Sequence, residues 1–306
     1  MSQAKTPKKT FCLGRYLIDL PSDAKLKASF TYASGKIETL VNVLQADFER
    51  LVSDRVQVLK KSSHEKSGNL FVARTEISDG QIFVQSWDGP VSTKIHKNEL
   101  FVYVKDKRAL FTQTDTSSAS AQLNTVEIAK RISRQFRHRE VNEVVLSNGF
   151  CINSGYLESN APNREEFSAN INFKQFSSVS VSIQSYVTGT PSTGLIGRAN
   201  DAISSMSGSA AASMAVLRKT SRDIGSVKGE EVSVRGSDGS KRSYEFSWKT
   251  EGIANSIEFP ATAIKLTTTD IKFNGEIVDA PFKTDKDALD FWDDLINTWR
   301  LRPGAV

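Results

Sequence analysis

The secondary-structure signals of this chain occur twice in the same order, and this repeat constrains its fold more than any other sequence feature. Alternating apolar residues predict strands, and apolar residues three and four positions apart predict helices. In the first half the order is a strand at 12–21, a hairpin at 26–42, a helix at 41–61, strand pairs at 69–87 and 99–113, and a helix at 125–139. Asn124 and Glu127 have the spacing of a capping box for that last helix.

The second half repeats this order. Its signals are a strand from Gly149, a hairpin at 167–187, a Gly/Ala/Ser-rich segment at 192–220, a strand pair at 229–248, strands at 262–268 and 271–273, and a helix that starts at Thr284 and Asp287. The small-residue segment takes the place of the first helix and predicts a helix broken near Ser207-Gly208, because glycine disfavours a helix interior.

The sequence therefore predicts an α+β fold with two similar domains, each an antiparallel sheet with two helices. The repeat indicates an internal duplication, and chance recurrence of common hairpins and helices is the alternative. We expect a disordered segment at 1–10, an N-terminal domain at 11–141 and a C-terminal domain at 142–306. The polar, basic start of the chain is not typical of a secretory signal peptide.

The amino-acid composition excludes several functional classes. Of the 306 residues, 39% are hydrophobic and 25% are charged, as in a soluble globular protein, and no apolar run is long enough to span a bilayer. Two cysteines are too few for a disulfide scaffold or a four-thiolate zinc site, and three histidines leave little material for metal or acid–base chemistry. We therefore expect a binding protein with no cofactor, no metal and no membrane insertion.

The absence of common catalytic motifs also favours a binding protein. The chain lacks a Gly-x-Ser-x-Gly nucleophile elbow, a phosphate-binding loop and a dinucleotide-binding Gly-x-Gly-x-x-Gly. His64 follows a helix in a polar run, which predicts exposure, and His138 lies at a basic helix end; neither pattern is typical of catalysis. The basic face of the 125–139 helix has no interleaved aromatic residues, so we expect no nucleic acid partner.

Cys12 and Cys151 lie on the opening strands of the two halves. In an oxidising compartment they could form a disulfide, and the alternative is two buried free thiols.

Five sequence motifs resemble those of a known family, the fourth class of immunity proteins against type VI secretion lipase effectors. The most specific is Cys-Leu-Gly-Arg-Tyr-Leu-Ile-Asp-Leu-Pro at 12–21. Looser similarities occur at 149–155, 227–231, 244–252 and 259–260. The resemblance spans roughly residues 11–300. It implies a two-domain antitoxin of a Gram-negative bacterium that binds a cognate phospholipase effector and blocks its active site or lid, usually in the periplasm.

This resemblance also implies that the chain is an inhibitor without catalytic residues, acting as a monomer in a 1:1 complex. Partner-binding anchors should be large residues at hairpin tips or between the domains. We expect Trp87 and Asp88, and also Tyr156 and Phe282, to bind the partner, whereas three further tryptophans should be core residues: Trp248, Trp292 and Trp299. Two other classes remain open, namely an envelope scaffold protein and an enzyme of an unrecognised type.

Overall fold

The computed structural model describes residues 7–141, 143–159, 164–206, 208–268 and 280–306. The chain folds into two compact units. The central unit comprises residues 29–161, and the terminal unit comprises residues 1–28 together with 162–306. The predicted division after residue 141 therefore does not coincide with the units, because the first 28 residues pack with the second half of the chain.

The helices are α1 (Gln45–Lys61), α2 (Gln122–Ser133), α3 (Leu195–Ser204), α4 (Gly208–Ala212) and α5 (Asp285–Ile296). The strands up to residue 138 are β1 (Lys8–Leu13), β2 (Tyr16–Pro21), β3 (Lys25–Tyr32), β4 (Gly35–Leu40), β5 (Ser63–His64), β6 (Gly68–Asn69), β7 (Phe71–Ser78), β8 (Gln81–Trp87), β9 (Ile95–Val104), β10 (Ala109–Ser118) and β11 (Phe136–His138). The later strands are β12 (Phe150–Ile152), β13 (Gly155–Leu157), β14 (Glu165–Asn172), β15 (Ser180–Tyr186), β16 (Met214–Ser221), β17 (Glu230–Asp238), β18 (Lys241–Thr250), β19 (Ala261–Thr267) and β20 (Arg300–Leu301).

The main sheets of the two units have the same topology. In the central unit the strand order is β3-β4-β10-β9-β8-β7, and in the terminal unit it is β14-β15-β19-β18-β17-β16. In each sheet the opening hairpin lies beside the strand that comes last in sequence, and the pairing is antiparallel throughout the registers observed. The predicted α+β class with antiparallel sheets is confirmed.

A three-stranded sheet accompanies each main sheet. In the terminal unit β1 and β2 form a hairpin, and β20 pairs with β2. In the central unit β12 and β13 form a hairpin, and β11 pairs with β13. Each opening hairpin is thus completed by the closing strand of the other half of the sequence.

The core of the central unit lies between α1 and its sheet. The helix predicted at 41–61 is wrong at its start, since α1 begins at Gln45, and Val41 and Leu44 are exposed. The rest of its apolar stripe packs with sheet residues in one cluster: Phe48, Val52, Val56, Leu59, Ile82, Val84, Phe101, Tyr103 and Leu110. Burial of these side chains supplies the hydrophobic free energy that holds the helix on the sheet.

In the terminal unit, α5 begins as the sequence predicts. Thr284 accepts a hydrogen bond from the backbone N–H of Asp287, and the Asp287 carboxylate accepts one from the backbone of Thr284, which completes a capping box. The three tryptophans that were expected in the core are at most 1% exposed: Trp248, Trp292 and Trp299.

The prediction of a helix at 125–139 is wrong at both ends of that range. Helix α2 begins at Gln122 and ends at Ser133, and no side chain caps its N-terminus. Residues 136–138 instead pair with β13, so long-range sheet pairing replaces the last helical turn, and His138 lies in a strand rather than at a helix end.

Three further predictions concern segments that are only partly described. Residues 1–6, Ser207 and the strand predicted at 271–273 lie outside the described residues. Lys8–Thr10, which were expected to be disordered, belong to β1. The 192–220 segment forms α3 and α4, but its last part is β16, because residues 214–221 pair with β17.

Candidate protein-binding surface

Trp87 contacts two histidine rings at the end of β8. It lies opposite His96 of β9 in the strand register. Its ring centroid is 4.5 Å from that of His96 at an interplanar angle of 66°, and 5.1 Å from that of His64 at 22°. Trp87 is only partly buried, so an ordered aromatic side chain remains partly accessible at this strand end.

Backbone hydrogen bonds fix the loop that follows. Asp88 donates its N–H to the carbonyl of Ile95 at 3.1 Å, and the Ser92 hydroxyl donates to the same carbonyl at 3.0 Å. Glu65 donates its N–H to the Pro90 carbonyl at 2.9 Å. A loop that is ordered before binding loses less conformational entropy when it binds.

This segment exposes apolar side chains. We call residues 87–95 the Trp87 loop. Val91 is 67% exposed and Ile95 is 44% exposed, and Asp88 is also exposed. Aliphatic side chains beside a partly exposed tryptophan, with a charged residue at the edge, are typical of the centre and rim of protein interfaces.

The structure overturns the prediction that His64 is exposed, since only 4% of it is accessible. Its Nδ1 accepts the N–H groups of Lys66 and Ser67 at 3.2 and 3.1 Å. Its Nε2 lies 2.7 Å from the carbonyl oxygen of Ser92. Because Nδ1 is an acceptor, Nε2 must carry the proton and donate to Ser92, so His64 fastens the Trp87 loop to the end of α1.

His96 supports Trp87 from the sheet. It is 2% exposed, and neither ring nitrogen has a hydrogen-bond partner among the described residues. Burial lowers the pKa of His96, because the charged imidazolium loses solvation. Sequence reasoning missed this residue, although alternation along β9 places it in register with Trp87.

Tyr156 and Phe282 lie elsewhere. Tyr156 is partly buried on β13, opposite Arg137 of β11. Phe282 is 5% exposed, and its ring lies 5.5 Å from Phe291 and 5.7 Å from Phe176. The prediction of an accessible anchor at Phe282 is therefore wrong. This residue packs in an aromatic core, so its burial stabilises the fold and its ring is not accessible to a partner.

The two cysteines occupy equivalent positions in the two opening hairpins. Cys12 is the second-last residue of β1, before the two-residue turn to β2. Cys151 is likewise the second-last residue of β12, before the two-residue turn to β13. They are 4% and 0% exposed. Their pairing stays a prediction.

A cavity of about 660 Å³ lies in the terminal unit, beside the turn at 223–228 and the end of β18. Two of the carboxylates that line it, Glu230 and Glu251, have structural partners. Glu230 accepts the N–H of Ile196 at 2.8 Å at the start of α3, and Glu251 lies 3.1 Å from the Lys249 ammonium. Among the described residues, no group of three His, Cys, Asp or Glu side chains is placed to hold a metal ion.

These features define a class: an α+β protein of two units with an ordered loop that exposes apolar side chains. No helix in the described ranges is both long enough and apolar enough to cross a membrane.

Two family models match the chain. The N-terminal domain of Tle cognate immunity protein 4 matches residues 9–145, and the C-terminal domain of the same protein matches residues 143–304. The chain therefore belongs to the Tle cognate immunity protein 4 family. The resemblance drawn from the 12–21 motif is confirmed, as is the prediction of a type VI secretion immunity protein.

Solved structures agree over nearly the whole length. The apo immunity protein TplEi of the type VI secretion system of Pseudomonas aeruginosa is 27% identical, with 98% of each chain covered and a TM-score of 0.88. The immunity chain of a Tle4–Tli4 complex is 28% identical, with 98% of this chain and 99% of that chain covered and a TM-score of 0.89. TplEi complexed with an "L" peptide is 27% identical, covers 98% of this chain and 100% of that chain, and has a TM-score of 0.85. No curated protein matches the chain.

Proposed function

We propose that this protein binds a cognate type VI secretion phospholipase effector and inhibits it by covering the active site or lid of the effector. The Trp87 loop carries the structural part of this proposal. Its hydrogen bonds are formed before binding, and it presents exposed aliphatic side chains beside a supported tryptophan. Trp87 and Asp88, with Tyr156 as a further contact, are the proposed partner-binding residues.

The inhibition is proposed to be stoichiometric and not catalytic. A monomer that forms a 1:1 complex needs only surface complementarity, and Glu230 and Glu251 of the terminal-unit cavity are engaged in helix capping and ion pairing. We propose the periplasm as the place of action, which fits a disulfide between Cys12 and Cys151, because disulfides persist in oxidising compartments.

The test is a titration of the lipase encoded beside this gene with the purified chain, in which binding and phospholipase activity are followed together. We expect a 1:1 complex and complete loss of activity at equivalence. A folded chain that neither binds nor inhibits this lipase would contradict the proposed pairing and favour the alternative, an envelope scaffold protein.

We also infer that the two halves arose by duplication. Both sheets have the same strand order, and both opening hairpins turn through two residues, at Gly14-Arg15 and at Asn153-Ser154. The residue after each closing strand makes the same contact: Arg302 donates its N–H to the carbonyl of Arg15 at 2.9 Å, and Arg139 donates its N–H to that of Ser154 at 3.1 Å. Such equivalent detail is not expected from chance recurrence of hairpins.

A further inference from the structure

The two halves of the sequence exchange their opening hairpins. The hairpin at 8–21 begins the first half but pairs with β20, near the end of the second half. The hairpin at 150–157 begins the second half but pairs with β11, which closes the first. If each half folded separately, β11 would pair with the first hairpin and β20 with the second.

The first hairpin is built deeply into the terminal unit. Arg15 lies in the turn of this hairpin and is 2% exposed. It donates two hydrogen bonds to the carboxylate of Glu165, at 2.7 and 2.6 Å, and a third to the carbonyl of Ala305. The ring of Tyr16 stacks on that of Trp299 with centroids 4.7 Å apart and planes at 4°.

Polar contacts continue along β2. The backbone N–H of Asp19 donates to the hydroxyl of Thr298 at 3.0 Å, and Arg300 forms an ion pair with the Asp19 carboxylate at 3.0 Å. The phenol of Tyr16 donates to the carbonyl of Glu258 at 2.7 Å. The hairpin is thus an integral part of the terminal unit, and its removal would leave buried apolar and charged groups without partners.

The second hairpin is built as deeply into the central unit. Arg139, beside β11, donates from Nε to the carbonyl of Gly155 and from Nη2 to that of Ile152, both at 3.2 Å. The ring of Phe150 lies edge-on to that of Phe30 at 6.1 Å. A Cβ added at Gly155 would lie 2.6 Å from the ring of Phe111, so this strand approaches the sheet closely.

We infer that this exchange interlocks the two halves, so that neither family-model domain, 9–145 or 143–304, is a folding unit of its own. Each domain lacks one hairpin that its core requires and carries one that belongs to the other core. The halves are therefore held together by strand pairing and buried contacts inside each unit, independently of the connection at 139–149. This inference does not depend on the proposed function.

The connection between β11 and β12 offers a test in the full-length chain. Val141 is 56% exposed and Leu146 is 73% exposed, so a protease site inserted after Leu146 should be accessible. The insertion is made in a Cys12→Ser/Cys151→Ser background, which removes any covalent link between the fragments. After cleavage, native mass spectrometry and size-exclusion chromatography measure whether the two fragments remain together.

We expect the fragments to stay in a 1:1 complex without denaturant, and to separate in urea only as the tryptophan fluorescence of the folded state is lost. Labelled N-terminal fragment added in excess should not exchange into the native complex over hours. Separation of folded fragments in native buffer, or rapid exchange, would overturn the inference.

Matched variants test whether the hairpin contacts hold the fragments together. Arg15→Met in the cleaved protein should lower the urea concentration at which the fragments separate. Arg50→Met, which breaks an exposed pair with Asp47 on α1, should leave that concentration unchanged. An equal effect of the two substitutions, or none from either, would argue that association does not depend on the exchanged hairpin.

Discussion

Arg15 and Glu165 are 150 positions apart in the sequence and form a bidentate ion pair that is almost fully buried. The pair joins the turn of the first hairpin to the first strand of the terminal-unit sheet. Loss of one partner would leave the other charge buried without compensation, which costs far more than the loss of an exposed pair.

This pair gives a stability prediction. Arg15→Met and Glu165→Gln should each lower the free energy of unfolding by about 3 kcal/mol or more, since each leaves a buried charge without its opposite charge. The double variant should lose much less than the sum of the two. Urea unfolding of the four proteins in a double-mutant cycle measures the coupling, and strict additivity would show that the two side chains do not act as a pair.

The Trp87 loop gives a binding prediction. Val91→Asp places a charge in the proposed apolar contact and should weaken effector binding by about tenfold or more. Because Val91 is 67% exposed, the variant should remain as stable as the wild type. Val58→Asp, at a 53% exposed position on α1, is the matched control and should bind normally. Calorimetric titration distinguishes the two, and equal affinities would remove the loop from the interface.

His96 gives a pH prediction. Because burial lowers its pKa in the folded state, the unfolded chain takes up the proton first, at a pKa of about 6.5. The histidine's contribution to stability is therefore complete above that value and is lost as the pH falls through it. Unfolding free energies measured from about pH 7.5 down to about pH 5 should decrease less in His96→Leu than in the wild type. His138→Gln is the control, and an unchanged slope in His96→Leu would contradict the assignment.

Asp293 gives a second pH prediction, at lower pH. Burial alone would raise its pKa, but hydrogen bonds and charge from Arg218 and Arg222 outweigh this effect and lower it. The ion pair at 2.6 Å with Arg218 therefore stabilises the fold above the unfolded pKa of about 3.9 and is lost as the pH falls through the lower folded value.

Replacement of this carboxylate should reduce that dependence. Asp293→Asn should lower stability near neutral pH by about 1.5–3 kcal/mol, the range for hydrogen bonds to charged groups, and should flatten the decline in acid. Asp290→Asn breaks an exposed pair with Lys286 and should change little. Thermal unfolding of the three proteins between neutral pH and about pH 3 tests this, and parallel curves would contradict it.

The cysteines give a redox prediction. Peptide mapping of oxidised protein without reductant should recover a linked peptide that contains Cys12 and Cys151. Reduction should lower the free energy of unfolding by up to about 4–5 kcal/mol in the entropic treatment of a loop of about 140 residues. Cys12→Ser alone should have the same effect as reduction. Unlinked peptides from fully oxidised protein would refute the pairing.

Local patterns in the sequence predicted the elements whose stability is local. The start of α5 at Thr284 and the apolar stripe of α1 from Phe48 onward depend on residues within a few positions of each other, and both are found as predicted. The 136–138 segment was predicted as helix because its pairing with β13 depends on residues about 20 positions away. No local pattern reveals the exchange of hairpins, since Tyr16 of β2 pairs with Leu301 of β20 at the other end of the sequence.

The candidate site was predictable only in part. Trp87 stood out because a large aromatic residue precedes a turn, but the same reasoning chose Phe282, whose partners Phe176 and Phe291 are brought near by folding. His64 and His96 were missed as supports because their burial follows from tertiary packing. Polar neighbours in sequence do not reveal that packing.

Strand β20 has a consequence for how the protein is made. A ribosome synthesises residues in order, so the hairpin at 8–21 emerges long before residues 300–305, which complete its sheet and receive Arg15. Until then β1 and β2 can pair only with each other, and the edge of β2 that β20 covers in the folded protein stays open to other strands. Protection of the cell against the toxin would then begin only when synthesis of each molecule is finished.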